Sequence, residues 1–251
     1  MVGKGGAGKS VIAGTMARLL ARRGQRVLAL DSDPMPGLSF SLGNGANPPE
    51  SPLRHAAERG GGAGWRLKRG IGPVRAVQRH ATDAPDGVRL LEIGETADSP
   101  PESYMPALYA FHQVVHRLPG ARAFRDWAII GDLPAGPRQA AYDWAPYADA
   151  FVVVVQPAAQ SALSARRVAR ILRMRAGAQV VFVASQVDGR RDVEHVEQLI
   201  GERVLESVPA DAAVAEAERL GLAPIDHAPG SPTVVAVERL VRALTQAHPP
   251  G

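Results

Sequence analysis

Apolar and polar positions alternate along this chain in two different rhythms. Short, nearly all-apolar runs occur at Arg26–Asp31, Val88–Ile93, Trp127–Asp132, Phe151–Gln156 and Gln179–Ala184. Runs of that length without polar alternation predict strands buried on both faces. Between them lie stretches with helical spacing. Ser10–Gly24 places Val11, Ala13, Gly14, Ala17, Leu20 and Ala21 on one face and stops at a glycine. Further helices are predicted over about 107–118, 161–175, 192–201 and 211–220. The last, over 233–247, carries Val234, Val237, Leu240, Val241 and Leu244 on its buried stripe. Arg203–Val208 reads as an edge strand. Strand and helix alternate throughout and no repeat is visible. The expectation is therefore an α/β fold, a doubly wound, mostly parallel sheet with helices on both faces, as a single domain over residues 1–251.

One stretch breaks the rhythm. Residues 43–87 are rich in Gly, Pro and Arg, including Gly60-Gly61-Gly62-Ala63-Gly64 and Asn47-Pro48-Pro49. From Arg54 to Arg79 there are seven basic residues and one acid, Glu58. This reads as a solvated, mobile insertion, with a docking surface as the alternative.

The strongest chemical signal is Gly3-Lys4-Gly5-Gly6-Ala7-Gly8-Lys9-Ser10, which fits G-x-x-x-x-G-K-[ST] and runs directly into the first predicted helix, whose first turn includes Ser10 and Val11. Gly5, Gly6 and Gly8 allow a turn tight enough for successive N–H groups to face one anion. The helix N-terminus adds its free N–H groups. Lys9 then reaches the β/γ-phosphates and the Ser10 hydroxyl can ligate Mg²⁺. Two acid-tipped strands complement the loop. Asp31-Ser32-Asp33-Pro34 follows the second strand, and Asp132-Leu133-Pro134-Ala135-Gly136 follows Trp127–Asp132. Asp132 has the character of a Walker-B acid, and Gly136 of the residue whose backbone senses a γ-phosphate.

Composition sharpens this picture. Of 29 Lys+Arg only three are lysines, Lys4, Lys9 and Lys68, and two of them sit in this one loop. Arginine serves elsewhere, so the loop needs a compact ammonium, and Lys4 is singled out with Lys9. Cysteine is absent, which excludes disulfides, thiolate-held clusters and Cys nucleophiles. The net charge of +4 and pI of about 9.8 permit an acidic partner without demanding one. No apolar run reaches the length of a membrane span, so a cytoplasmic setting without membrane contact is expected. His112 and His116 are spaced to share a helix face, but no Glu or Cys completes a metal site there. Only Met1 and Val2 precede the loop, so the rest of its supporting strand is expected upstream of Met1.

These motifs resemble the MinD/ParA-type P-loop ATPases, whose deviant Walker A carries an extra lysine at the position of Lys4. The resemblance extends to Asp31–Pro34 as switch I, Asp132–Gly136 as switch II, and Val208-Pro209-Ala210-Asp211. Within that superfamily the chain looks most like the CooC-type ATPases, which help insert nickel into carbon monoxide dehydrogenase. The similar phrases are Leu28–Pro34, Asp86–Leu91 and Val214–Ala217 followed by Gly221. The resemblance implies a homodimer closed through the nucleotide site, with Lys4 touching the partner subunit's phosphates. It implies ATP and Mg²⁺ as cofactors and Asp33 orienting the attacking water. Asp31 and Asp132 would support the metal shell, and adenine would lie near Ser185, Gln186 and Pro209.

The chain also departs from the family. Nickel-handling members carry Cys-x-Cys where this chain has Asp98-Ser99-Pro100, so cysteine-based metal delivery is unavailable. The usual Asn-Lys of the adenine pocket is Ser185-Gln186. The Pro134–Arg138 loop is closer to the partitioning ATPases. The leading expectation is a dimeric Mg²⁺-ATPase switching a protein client, in metalloenzyme maturation. One alternative is a ParA/MinD-type positioning ATPase that, when ATP-bound, binds a partner complex or binds DNA through the arginines of 54–79 or of Arg166, Arg167, Arg170, Arg173 and Arg175. The other is a nucleotide-binding module without turnover.

Overall fold

The apolar runs assemble into one twisted sheet whose strands are laid out by their burial. The computed structural model describes residues 1–33, 37–45, 52–60, 64–94, 101–137, 142–174 and 179–247. Pro34, Asn47-Pro48-Pro49, residues 61–63, Asp98-Ser99-Pro100, Arg138, Arg175 and residues 248–251 lie outside them. The strands are β1 (Val2–Gly3), β2 (Arg26–Asp31), β3 (Ala57–Arg59), β4 (Trp65–Leu67), β5 (Thr82–Asp83), β6 (Arg89–Glu92), β7 (Trp127–Asp132), β8 (Ala150–Val155), β9 (Gln179–Val187) and β10 (Glu206–Pro209). The helices are α1 (Lys9–Arg22), α2 (Gly37–Leu42), α3 (Pro73–His80), α4 (Pro101–Val115), α5 (Ala159–Arg173), α6 (Arg190–Ile200), α7 (Ala212–Leu220), α8 (Pro224–His227) and α9 (Pro232–Ala247).

Two ladders, β5-β6-β2-β7 and β1-β8-β9-β10, are parallel except where β5 meets β6. They join where β1 lies beside β7. The Met1 amine donates to Gly131 O, and Leu133 N–H donates to Met1 O at 3.1 Å. Alternation sorts the two faces. Val27, Ala29, Val152 and Val154 pack with α1 and α9, whereas Leu28 and Leu30 pack with α4, and Phe151, Val153 and Val155 with α5 and α6. Both faces are therefore covered, and every residue from Val27 to Leu30 is at most 1% exposed. Among the described residues no helix is long and apolar enough to cross a membrane.

The stretch 43–87 departs from its expected solvated character. It contains the antiparallel β3–β4 pair and α3, and Leu53, Ala56, Ile71, Ala76 and Val77 are buried in a shared core with Leu91 and Phe111. A handful of apolar residues spaced through polar sequence is enough to seat it. Helix α4 begins six residues earlier than the periodicity predicts, and it takes Pro106 into its second turn at the cost of one backbone N–H bond.

One buried cation ties four segments together. The Arg18 side chain is 3% exposed and donates to Asp86 Oδ2, to Leu42 O at 2.6 Å, and to both Asp226 oxygens at 2.9 Å. Arg22 also donates to Asp86 Oδ2 (2.7 Å) and Asp226 Oδ1 (2.8 Å), so removing Arg18 leaves both carboxylates on a single arginine and takes a donor from Leu42 O. Arg18→Ala should therefore destabilise the fold by about 1–3 kcal/mol in denaturant titration.

Because β1 is only two residues long, β7 and β8 part below it. The gap is a slot of about 740 Å³ lined by Met1, Met16, Leu20, Ile129, Gly131 and Phe151. Its walls are the backbone edges of β7 and β8, and β1 pairs β8 only at Val153 and Val154. An apolar extended segment of about five residues appended before Met1 should pair into this slot. Thermal unfolding would then rise by about 2–4 °C for each kcal/mol gained, and an unchanged midpoint would show that the slot does not take a strand.

Candidate functional site

The site is built where β1 hands the chain to α1. Gly6 (φ 74°) and Gly8 (φ 83°) adopt left-handed conformations that fold the loop back on itself. Ala7 N–H donates to Lys4 O at 3.3 Å, and Ile12 N–H donates to Gly8 O at 3.0 Å to open α1. The loop's residues Gly5 and Gly6 are exposed, Ala7 is buried, and the N-terminal N–H groups of α1 follow at Lys9, Ser10 and Val11. Such a curl of amides at a helix N-terminus is an anion cradle. Lys9 is 8% exposed, and its Nζ donates to Lys4 O at 3.4 Å, holding the ammonium across the loop. Lys4 is half-buried, and its Nζ donates to Gln160 Oε1 at 3.4 Å at the start of α5.

Beside the cradle three acids end neighbouring strands. Asp31 pairs in register with Glu92 on one side and Asp132 on the other. All three are at most 4% exposed. Ser10 Oγ donates to Asp132 Oδ2 at 2.5 Å. Asp132 Oδ1 is buried and has no hydrogen-bond partner among the described residues. Asp31 accepts N–H bonds from Asp33 (3.0 Å) and Leu38 (3.2 Å). Burial first, and Asp132 next, hold the Asp31 carboxyl well above the usual range. Burial likewise raises Asp132, against the opposing pull of the nearby amine, Ser10 and Lys9. Asp33 is less buried, and it adds to the upward push of burial on the Tyr104 phenol.

The remaining predicted residues lie at the same carboxyl edge of the sheet. Ser185 is 2% exposed and sits under Gly8, where a Cβ would come 3.2 Å from its hydroxyl. Gln186 (φ 56°) turns outward and donates to Gly6 O at 3.0 Å. Pro209 lies opposite Val187, where the β9–β10 register shifts. Gly136 (φ 92°) donates its N–H to Gly3 O at 3.2 Å, so the loop after β7 is pinned to the strand that leads into the cradle. His112 and His116 do meet, with ring centroids 4.2 Å apart, and the His112 ring abuts Trp144. Among the described residues no group of three or more His, Asp or Glu side chains is placed to hold a metal ion.

Sequence reasoning missed four participants. Gln156 donates to Gly6 O at 3.3 Å and to Gln186 Oε1 at 2.6 Å, so two glutamines clasp one loop carbonyl. Gln160 receives Lys4, Tyr104 borders Asp33, and Glu92 completes the row of acids. A polar residue at the carboxyl end of an apolar strand was the available signal for Gln156 and Glu92.

This geometry defines a P-loop nucleotide-binding protein on a doubly wound sheet. A family model described as the CobQ/CobB/MinD/ParA nucleotide binding domain matches residues 1–225, and the chain belongs to that family. It is similar to the carbon monoxide dehydrogenase accessory protein CooC of Rhodospirillum rubrum, 26% identical over 242 residues, 91% of this chain and 89% of that protein. An uncharacterised ATP-binding protein of Methanocaldococcus jannaschii is 26% identical over 234 residues, 88% of each. Among solved structures the fold matches the septum site-determining protein MinD of Pyrococcus horikoshii in complex with Mg-ADP. The TM-score is 0.74 at 20% identity, over 99% of this chain and 95% of that one. A ParA family ATPase of Chlorobium tepidum gives a TM-score of 0.72 at 19% identity, over 96% and 95%.

Glu92 makes the burial of this row of acids measurable. Burial raises its carboxyl from 4.5 to about 7. Below about pH 4.5 both folded and unfolded chains hold the proton. As pH rises from there through 7, the unfolded chain releases it first and the folded state loses stability. At about 1.4 kcal/mol per pH unit the loss approaches roughly 3 kcal/mol. Glu92→Gln should flatten the unfolding free energy between pH 5 and 8, and an unchanged slope would exclude Glu92 as its source.

Proposed function

We propose that the chain is a Mg²⁺-dependent ATPase that acts as a dimeric switch on a protein client, in the maturation of a metalloenzyme. The observation that carries this reading is the 2.5 Å contact between Ser10 Oγ and Asp132 Oδ2 directly beside Lys9 and the α1 N-terminus. The residues present fit Mg²⁺. A hydroxyl meets a carboxylate whose second oxygen is buried without a hydrogen-bond partner among the described residues, and Asp31 stands alongside. Ser10 would hold the ion, with Asp132 and Asp31 behind it. When bound, Mg²⁺ neutralises charge on the β- and γ-phosphate oxygens.

The chain's own groups account for the rest of the reading. The amides of Gly5 to Val11 cradle the phosphates, and the Lys9 ammonium balances their charge. Asp33, outside the most buried layer, orients the attacking water. Ser185, Gln186 and Pro209 form the edge on which adenine rests, and the amides of Gln156 and Gln186 hold Gly6 beneath it. Among the described residues the Lys4 ammonium is tethered by Gln160 alone, and it swings to a second subunit's nucleotide. That couples dimer closure to ATP, and hydrolysis reverses it. The similarity to CooC supports a metalloenzyme client, while the absence of cysteine argues for a switching role over metal carriage.

Steady-state phosphate release tests the reading. The purified chain should turn over ATP only with Mg²⁺, and chelation or Ser10→Ala should remove it. Lys4→Ala should keep ATP binding but lose ATP-dependent dimerisation and about 10²–10³ in rate. If this variant dimerises and hydrolyses normally, the cross-subunit role of Lys4 is wrong.

A further inference from the structure

Helix α5 leads from the nucleotide site to an exposed surface that the site does not use. Its first turn carries Gln160, the acceptor of Lys4. Its outer face then presents Leu163, Arg166, Arg167, Arg170 and Met174, spaced i, i+3, i+4, i+7 and i+11, which is one continuous stripe. These five side chains are exposed, and the two apolar ones are 49% (Leu163) and 83% (Met174) open to solvent. They line a groove of about 700 Å³ that Ile200 floors from the end of α6.

The charge in this groove is one-sided. Arg173 is held by Glu202 through two bonds of 2.6 and 2.7 Å. Arg166, Arg167 and Arg170 have no carboxylate partner among the described residues. On neighbouring α6, by contrast, Glu194 and Glu197 are matched by Arg190 and Arg203. Three uncompensated guanidiniums therefore lie between two exposed apolar anchors about 16 Å apart along the helix axis, the length of three turns.

We propose that this face of α5 docks an acidic, amphipathic helix of a protein partner, with apolar side chains against Leu163 and Met174 and carboxylates on Arg166, Arg167 and Arg170. This names the chemistry of the client in the switch reading and rests on that reading for its functional meaning. A helix fits better than nucleic acid for two reasons. A phosphate backbone would leave Leu163 and Met174 uncovered, and it would run against Glu202 on the groove's rim. Arginine forks suit carboxylates on a helix, and the apolar ends supply the anchors that such contacts lack. Because Gln160 lies one turn before Leu163 on the same helix, the docked helix and Lys4 both bear on α5.

The test uses the full chain and a fluorescein-labelled helical peptide of roughly eighteen residues. The peptide carries two leucines eleven positions apart with glutamates between them on the same face. Fluorescence anisotropy should show saturable binding, weakened about tenfold or more by Arg166→Glu with Arg170→Glu. Leu163→Ser with Met174→Ser should weaken it severalfold, and so should replacing the peptide's leucines by alanine. Three results would overturn the proposal: no saturable binding, equal binding of the leucine and alanine peptides, or tighter binding of short duplex DNA or phosphatidylserine vesicles through the same arginines. Phosphate release from the same preparations separates the two readings. Turnover without peptide binding removes the docking face alone, whereas peptide binding without turnover removes the ATPase alone.

Discussion

Three carboxylates crowd the carboxyl edge of the sheet, and the arrangement around them follows from how each is offset. Glu92, Asp31 and Asp132 end three adjacent strands in register and are all deeply buried. At the Asp132 end the offset is strongest, with the Ser10 hydroxyl in contact and Lys9 nearby. In the middle, Asp31 accepts two backbone N–H groups, from Asp33 and Leu38. At the far end burial dominates at Glu92, and its carboxyl is pushed up to about 7. Positive charge thus bears on the P-loop end of the edge, where the Met1 amine and Lys9 act on Asp132.

That asymmetry bears on the proposed chemistry. A nucleotide brings further negative charge to a place already rich in it, and the loop's amides face that charge from one side only. A divalent cation held at Ser10, with Asp132 behind it, would resolve the conflict, which is why a buried, half-satisfied carboxylate next to Ser10 is informative. The lysine economy fits the same logic. With arginine used almost everywhere else, the two ammonium groups of the loop mark where a wide guanidinium would not pack.

How much of this was legible in the sequence varied with the kind of signal. Strands β2 and β7 coincide with their apolar runs residue for residue; β2 is buried from Val27 to Asp31, whereas β7 is only half-buried up to Gly131 because it borders the slot below β1. Helix α1 follows from its spacing and from Gly24. The stretch 43–87 misled because its buried residues, Leu53, Ile71 and Val77 among them, are too sparse to make a period, and their partners on α4 and β6 are distant in sequence. At the site, the loop and its two acids were readable as motifs. Gln156 and Gln160 were not, since a lone glutamine acquires meaning only when tertiary contacts bring it to Gly6 or Lys4.

The hydrogen bond from Gly136 to Gly3 links two features that look separate, the brevity of β1 and the loop after β7. Gly3 is half of the strand that joins the two ladders, and its carbonyl is also the mooring of the segment that would respond to a γ-phosphate. The cohesion of the sheet's centre and the resting position of that loop are therefore a single equilibrium. In the proposed switch, anything that tightens the seam between β7 and β8 would also deepen the well from which the loop must be drawn, so the trigger threshold would be written into the sheet itself.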